Sequence, residues 1–142
     1  MTLTREDIAR RVAALAIGAG CLGILLVAVL LAPSGEGHGT HTQIGLPRCG
    51  WVVAFDTPCP TCGMTTAYSH AVRADLATAA MTQPMGALLA LLTAAGAVGG
   101  LHAALTGCRL GRFMDTVLSA RTLWVALALA AGAWIYKLMT WA

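Results

Sequence analysis

Three long runs without a charge limit what this chain can fold into. Val12 to Ala32 carries no charged residue, and neither does Leu76 to Cys108, whose most apolar part is Met85 to Leu105. Leu123 to Trp141 carries only Lys137. About 20 apolar residues cross the hydrocarbon core of a bilayer as a helix. The chain therefore reads as an all-α membrane protein with transmembrane helices at about 12–32, 85–105 and 122–141. Its balance of 58% hydrophobic and 11% charged residues agrees, since soluble domains carry roughly a quarter charged. The third run is the shortest, unbroken only from Thr122 to Tyr136, and Lys137 is expected to snorkel to the interface. The first run reads as an anchor helix, because Leu30-Leu31-Ala32-Pro33 lacks the small-x-small pattern of a cleaved leader.

The basic residues predict orientation. Arg5, Arg10 and Arg11 flank the first run, and Arg109, Arg112 and Arg121 lie between the second and third. The long segment 33–84 holds only Arg48 and Arg73. By the positive-inside rule the N-terminus and the loop 106–121 are cytoplasmic, and the loop 33–84 and the C-terminus are outside. The net charge of +3 is thus topological, and no clustered basic face suits nucleic acid. The whole chain, 1–142, reads as one membrane domain whose first partner is the bilayer.

Within this frame, Thr4-Arg5-Glu6-Asp7 has the form of a capped helix start. Small residues four apart (Ala14/Gly18, Ala16/Gly20, Ala19/Gly23, Gly96/Gly100, Ala128/Gly132) predict close helix packing, within the chain or against partner subunits. Pro33 to Gly45 reads as a loop. Trp51 to Phe55 is an apolar stretch for the interface or for packing on the helices. Thr65 to Met81 reads as one short interfacial helix with Thr65 or Thr66 as its cap, and Pro84 as its break from the second membrane helix. Arg73 and Asp75 are expected on its solvated face. Trp51, Trp124, Trp134, Tyr136 and Trp141 are candidate interfacial anchors.

The outer loop also holds Cys49 and the run Pro58-Cys59-Pro60-Thr61-Cys62-Gly63. Proline and glycine favour a tight turn that aims both sulfurs of the pair at one point. Three chemistries fit: a disulfide staple, which an oxidising outer side would preserve; a thiolate metal site, zinc being the ion it suits; and a redox-active pair. A tetrahedral zinc site needs four ligands. Cys49, Cys59 and Cys62 supply three, and His70 is the nearest candidate for the fourth, with His41 and His38 behind it. Against ligation, His70 reads as an exposed histidine of the polar face. Cys21 and Cys108, inside or at the end of membrane runs, read as small buried hydrophobes. His102 reads as a histidine bonding a carbonyl near the inner interface.

Cys49, the run Cys59-Pro60-Thr61-Cys62-Gly63-Met64-Thr65, Ala67, Ala74-Asp75 and Gln83-Pro84 together resemble the domain-of-unknown-function 2752 family of small bacterial membrane proteins. The likeness runs from about Cys49 to Leu92. Three positions depart from the family pattern: Thr66 stands at an arginine, Ala74 at a glycine and Gln83 at an asparagine. The resemblance implies a protein of the bacterial plasma membrane with its cysteine motif at the membrane face, and it supplies no activity. No phosphate loop, nucleophile–base arrangement or intramembrane carboxylate pair is present, so the reading leans away from an enzyme or a transporter. It is that of a small membrane accessory or interaction protein whose extracytoplasmic loop is organised by Cys49, Cys59 and Cys62. The alternative is that the cluster is itself a metal-binding or thiol-redox site.

Overall fold

A computed structural model describes residues 4–108 and 119–141. Among the described residues, three helices are long and apolar enough to cross a membrane: α1 (Arg5–Leu30), α5 (Pro84–Thr106) and α6 (Ala120–Met139). Between α1 and α5 lie a 3₁₀ turn (Thr40–Ile44) and three short helices, α2 (Gly50–Phe55), α3 (Met64–Ala71) and α4 (Leu76–Thr82). Among the described residues there is no strand. Arg109 and Arg112, read above as inner-loop residues, lie outside the described residues.

Helix α1 starts as its sequence predicts. The Thr4 side chain accepts the Asp7 N–H while the Asp7 carboxylate accepts the Thr4 N–H, a reciprocal cap. Helices α1 and α5 run antiparallel and meet through small residues. A Cβ added to Gly100 would stand 2.8 Å from the Ala14 carbonyl oxygen and the Gly18 backbone, and one on Gly18 would stand 2.8 Å from the Leu101 nitrogen. Gly96 lies against the Cys21 sulfur in the same seam. Of the predicted pairs, Ala14/Gly18 and Gly96/Gly100 therefore make the interface. Gly20, Gly23 and Gly132 face open space. Cys21 is half-buried in the seam, while Cys108 is exposed, contrary to its expected burial. His102 is exposed as well, and its own carbonyl accepts from the Thr106 hydroxyl.

The last carbonyls of a helix have no intrahelical donor. Here arginines serve both members of the pair. The Arg11 guanidinium packs on Gly107 and donates to the Leu105 carbonyl at 3.5 Å. Arg73 donates to the carbonyls of Ser69 (2.6 Å), Val29 (2.9 Å) and Ala28 (3.4 Å), joining α3 to the end of α1. Arg73 therefore does not solvate a free helix face as the sequence suggested.

The stretch expected to form one short helix from Thr65 to Met81 forms two. Ala74 adopts φ +62, a left-handed conformation that stops α3. Asp75 then caps α4 by accepting the Thr78 N–H at 3.2 Å, so a short polar side chain diverts the backbone out of the helix. The cap of α3 also differs from expectation. Gly63, at φ +85, precedes its first turn, and Thr66 is buried with its hydroxyl 2.8 Å from that of Thr40. Pro84 opens α5 at its first turn, where a missing N–H costs nothing.

Helix α6 joins the rest at one end. The Trp134 indole donates to the Pro58 carbonyl at 3.0 Å, and the Tyr136 hydroxyl to the Met81 carbonyl at 2.9 Å. Trp51 meets Trp134 edge-on at 6.5 Å, and Trp141 lies 4.7 Å from the His38 ring. Trp124, at the other end, is exposed.

The seam gives a sharp expectation. Gly100→Val places branched carbons against backbone that cannot retreat, a fault that costs about 1–3 kcal/mol by overpacking. Thermal unfolding in detergent should show a clear loss of stability and yield for Gly100→Val. Gly132→Val, in open space on α6, should match the wild type.

Candidate functional site

The cysteine turn is built from backbone outward. After Pro58 the chain closes a tight turn, with the Cys62 N–H donating to the Cys59 carbonyl at 3.0 Å and the Met64 N–H to the Thr61 carbonyl at 3.1 Å. Gly63 is required twice over. Its φ of +85 disfavours a side chain, and a Cβ there would stand 2.7 Å from the Gly37 carbonyl oxygen. This approach sets the loop after α1 directly against the turn. Cys49 arrives from the opposite direction, where its carbonyl receives the Val53 N–H at the head of α2.

The result is a triad. The sulfurs of Cys49, Cys59 and Cys62 lie within 4.8 Å of one another, Cys62 buried and the other two half-buried. In tetrahedral zinc–thiolate sites the metal–sulfur distance is about 2.3 Å, which puts the sulfurs somewhat under 4 Å apart. The triad needs only a small contraction to reach that spacing. A disulfide would draw two sulfurs to about 2.05 Å and leave the third outside the bond.

His70, expected as the fourth ligand candidate, is placed elsewhere. Its Nδ1 lies 3.1 Å from the Asp75 carboxylate, across the break between α3 and α4. Hydrogen bonds from the Thr78 side chain and N–H, then from His70, hold the Asp75 carboxyl below its usual range. Among the described residues, the close group of candidate ligands consists of the three cysteines. His41 sends Nε2 to within 3.1 Å of the Pro47 carbonyl, and His38 sends Nδ1 to within 3.0 Å of the Glu36 carbonyl.

Cys59 and Cys62 are electrostatically unlike. Burial raises Cys62 to about 11, reinforced by the charges of Cys59 and Cys49 and opposed by a backbone hydrogen bond at Cys59. At Cys59 burial also pushes upward. There it is outweighed by hydrogen bonds from the Thr61 side chain and backbone and from the two neighbouring thiols, so the group sits below its ordinary value. The Thr61 hydroxyl lies 3.3 Å from the Cys59 sulfur.

Beneath the turn, the structure assembles side chains that sequence reasoning placed elsewhere or passed over. Lys137 does not snorkel outward. It is 7% exposed, and its ammonium donates to the carbonyls of Thr82 (3.3 Å) and Gly37 (3.4 Å) and lies 5.8 Å from the Trp141 ring centroid. Its charge is near enough to interact with Cys62. Gln83 is fully buried and donates to the Pro60 carbonyl at 3.2 Å, while its Oε1 has no partner. The carbonyls of Gly37, Pro58, Pro60 and Thr82 are thereby each gripped from another element. The one available signal was Lys137 itself, a lone cation inside an apolar run.

Unequal acidity makes the thiols distinguishable in reduced, metal-stripped protein. Below pH 9 a larger share of Cys59 than of Cys62 is thiolate, and thiolate is the form that alkylates. Iodoacetamide at pH 8 followed by peptide mass spectrometry should modify Cys59 well before Cys62. Thr61→Val should slow Cys59 specifically.

No curated protein and no solved structure matches the chain. The family comparison is positive over the region just described, about a third of the chain, from Cys49 through α2, α3 and α4 to just past the middle of α5. Residues 49–97 match the family model described as a protein of unknown function, DUF2752, so the cysteine-bearing segment is similar to that family.

Proposed function

We propose that this chain is a single-domain membrane accessory protein whose outer loop is held together by a thiolate metal site of the zinc class at Cys49, Cys59 and Cys62. The observation that carries the reading is the mutual closeness of all three sulfurs, within 4.8 Å, about a turn closed by two backbone hydrogen bonds. A metal ion can engage three sulfurs at once, whereas a disulfide engages two. Two thiols are half-buried, as suits a site that a fourth ligand completes. The ion would fasten the segment before α2 to the turn before α3, and so fix the surface that the loop offers to other membrane subunits. The site's role is then structural rather than catalytic.

Purified protein in detergent should contain about one zinc per chain, and chelation should free three thiols and lower the unfolding temperature. Cys59→Ser should lose most of the metal, while His70→Ala should keep it. A metal-free protein with two fewer titratable thiols than expected, restored by reductant, would overturn the metal reading. It would favour a disulfide, either a structural staple or a Cys59–Cys62 redox pair, the latter being the one that the unequal acidity of those thiols supports.

The basic asymmetry further supports a plasma-membrane orientation with the N-terminus cytoplasmic and the cysteine loop extracytoplasmic. An alkaline phosphatase fusion at Gly45 should be active and one at Gly111 silent. The reverse pattern would overturn the orientation.

A further inference from the structure

A groove of about 1270 Å³ runs from the cysteine turn down one face of α1. It exceeds the roughly 300–1,000 Å³ of ordinary small-molecule pockets. Its floor is apolar and dips where Gly20 and Gly23 have no neighbour within 4 Å, with Ile24 and Val27 beside them. Its mouth is polar and includes Arg48.

We infer that this groove seats one phospholipid with an anionic headgroup, from the leaflet on the side of the cysteine loop. Length is the first argument. From Gly20 to the end of α1 at Leu30 the helix rises about 15 Å, half of a hydrocarbon core about 30 Å thick. The trough thus reaches from mid-bilayer to one interface, the depth of a single acyl chain. Charge is the second. The loop 33–84 has two basic residues, and Arg73 is spent on the carbonyls that end α1. Arg48 is exposed, lines the mouth of the groove and has no carboxylate within ion-pair distance among the described residues. Glu36 also lines the groove, with its carboxylate 3.8 Å from His38. A phosphate at the end of a chain lying in the trough would meet Arg48, the one basic side chain of the mouth left without a partner. The inference rests on membrane insertion and the groove, not on the metal.

The test is native mass spectrometry from micelles holding equal phosphatidylglycerol and phosphatidylcholine. The wild type should retain one lipid per chain and favour phosphatidylglycerol about fivefold, the factor expected of one basic residue near the headgroup. Arg48→Gln should abolish the preference. Gly20→Leu with Gly23→Leu should abolish retention while leaving zinc content unchanged, since open space at both positions lets the side chains fill the trough without a clash. Gly132→Leu, at a position that does not line this groove, should retain lipid as the wild type does. No preference in the wild type, or a preference that survives Arg48→Gln, would overturn the seat. So would lipid loss in Gly132→Leu matching that of the double variant, or displacement of the lipid by millimolar glycerol 3-phosphate. If the double variant unfolds, Arg48→Gln alone decides, because that surface change leaves the packing intact.

Discussion

The backbone contact between α1 and α5 at Gly18 and Gly100 is the constraint on which the remaining geometry depends. Lipid offers apolar helices no hydrophobic reason to associate, so packing and polar contacts must do it. With both residues reduced to hydrogen, the two backbones approach until a Cβ on either would overlap the other. That distance fixes the ends of the pair. At one end Arg11 reaches the last turn of α5, and at the other Arg73 reaches from the loop to the last turn of α1. Two long helices so joined become a platform. The short helices α3 and α4 are seated on it, with Ala67, Ala79 and Ala87 forming a small buried core.

The segment between α1 and α5 obeys a different economy, in which carbonyls of turns and helix ends are matched by donors from distant segments. In a bilayer, irregular backbone is tolerated only where protein or water satisfies it. Gln83, Lys137, Trp134, Tyr136 and Arg73 each lend a donor to a carbonyl in another segment. Few of these contacts lie close in sequence. The cysteine turn is tied to the helices through its carbonyls at Pro58 and Pro60, which are held from α6 and from the start of α5.

That division explains what the sequence disclosed. The membrane helices were legible because burial in lipid is written as uninterrupted apolar length. The reciprocal cap at Thr4 and Asp7 and the grouping of Cys49, Cys59 and Cys62 were legible because both follow from local spacing. The break at Ala74 was not, since a left-handed alanine leaves no trace in the periodicity of its neighbours. Which small-residue pairs meet was also hidden: Ala14/Gly18 and Ala16/Gly20 read alike, and only the facing helix distinguishes them. Lys137 read as a snorkelling cation because its acceptors, at Gly37 and Thr82, are remote in the chain.

The attachment of α6 through its final turns bears on how such a chain matures. All three clustered cysteines emerge from the ribosome long before Trp134 and Lys137, which complete their surroundings. For that interval the turn exists with its sulfurs and without its clamp, at its most open to any ion, oxidant or enzyme able to act on thiols. Arrival of the last helix then closes the site from beneath. Biosynthetic order thus presents the three thiols before the α6 side chains that surround the turn.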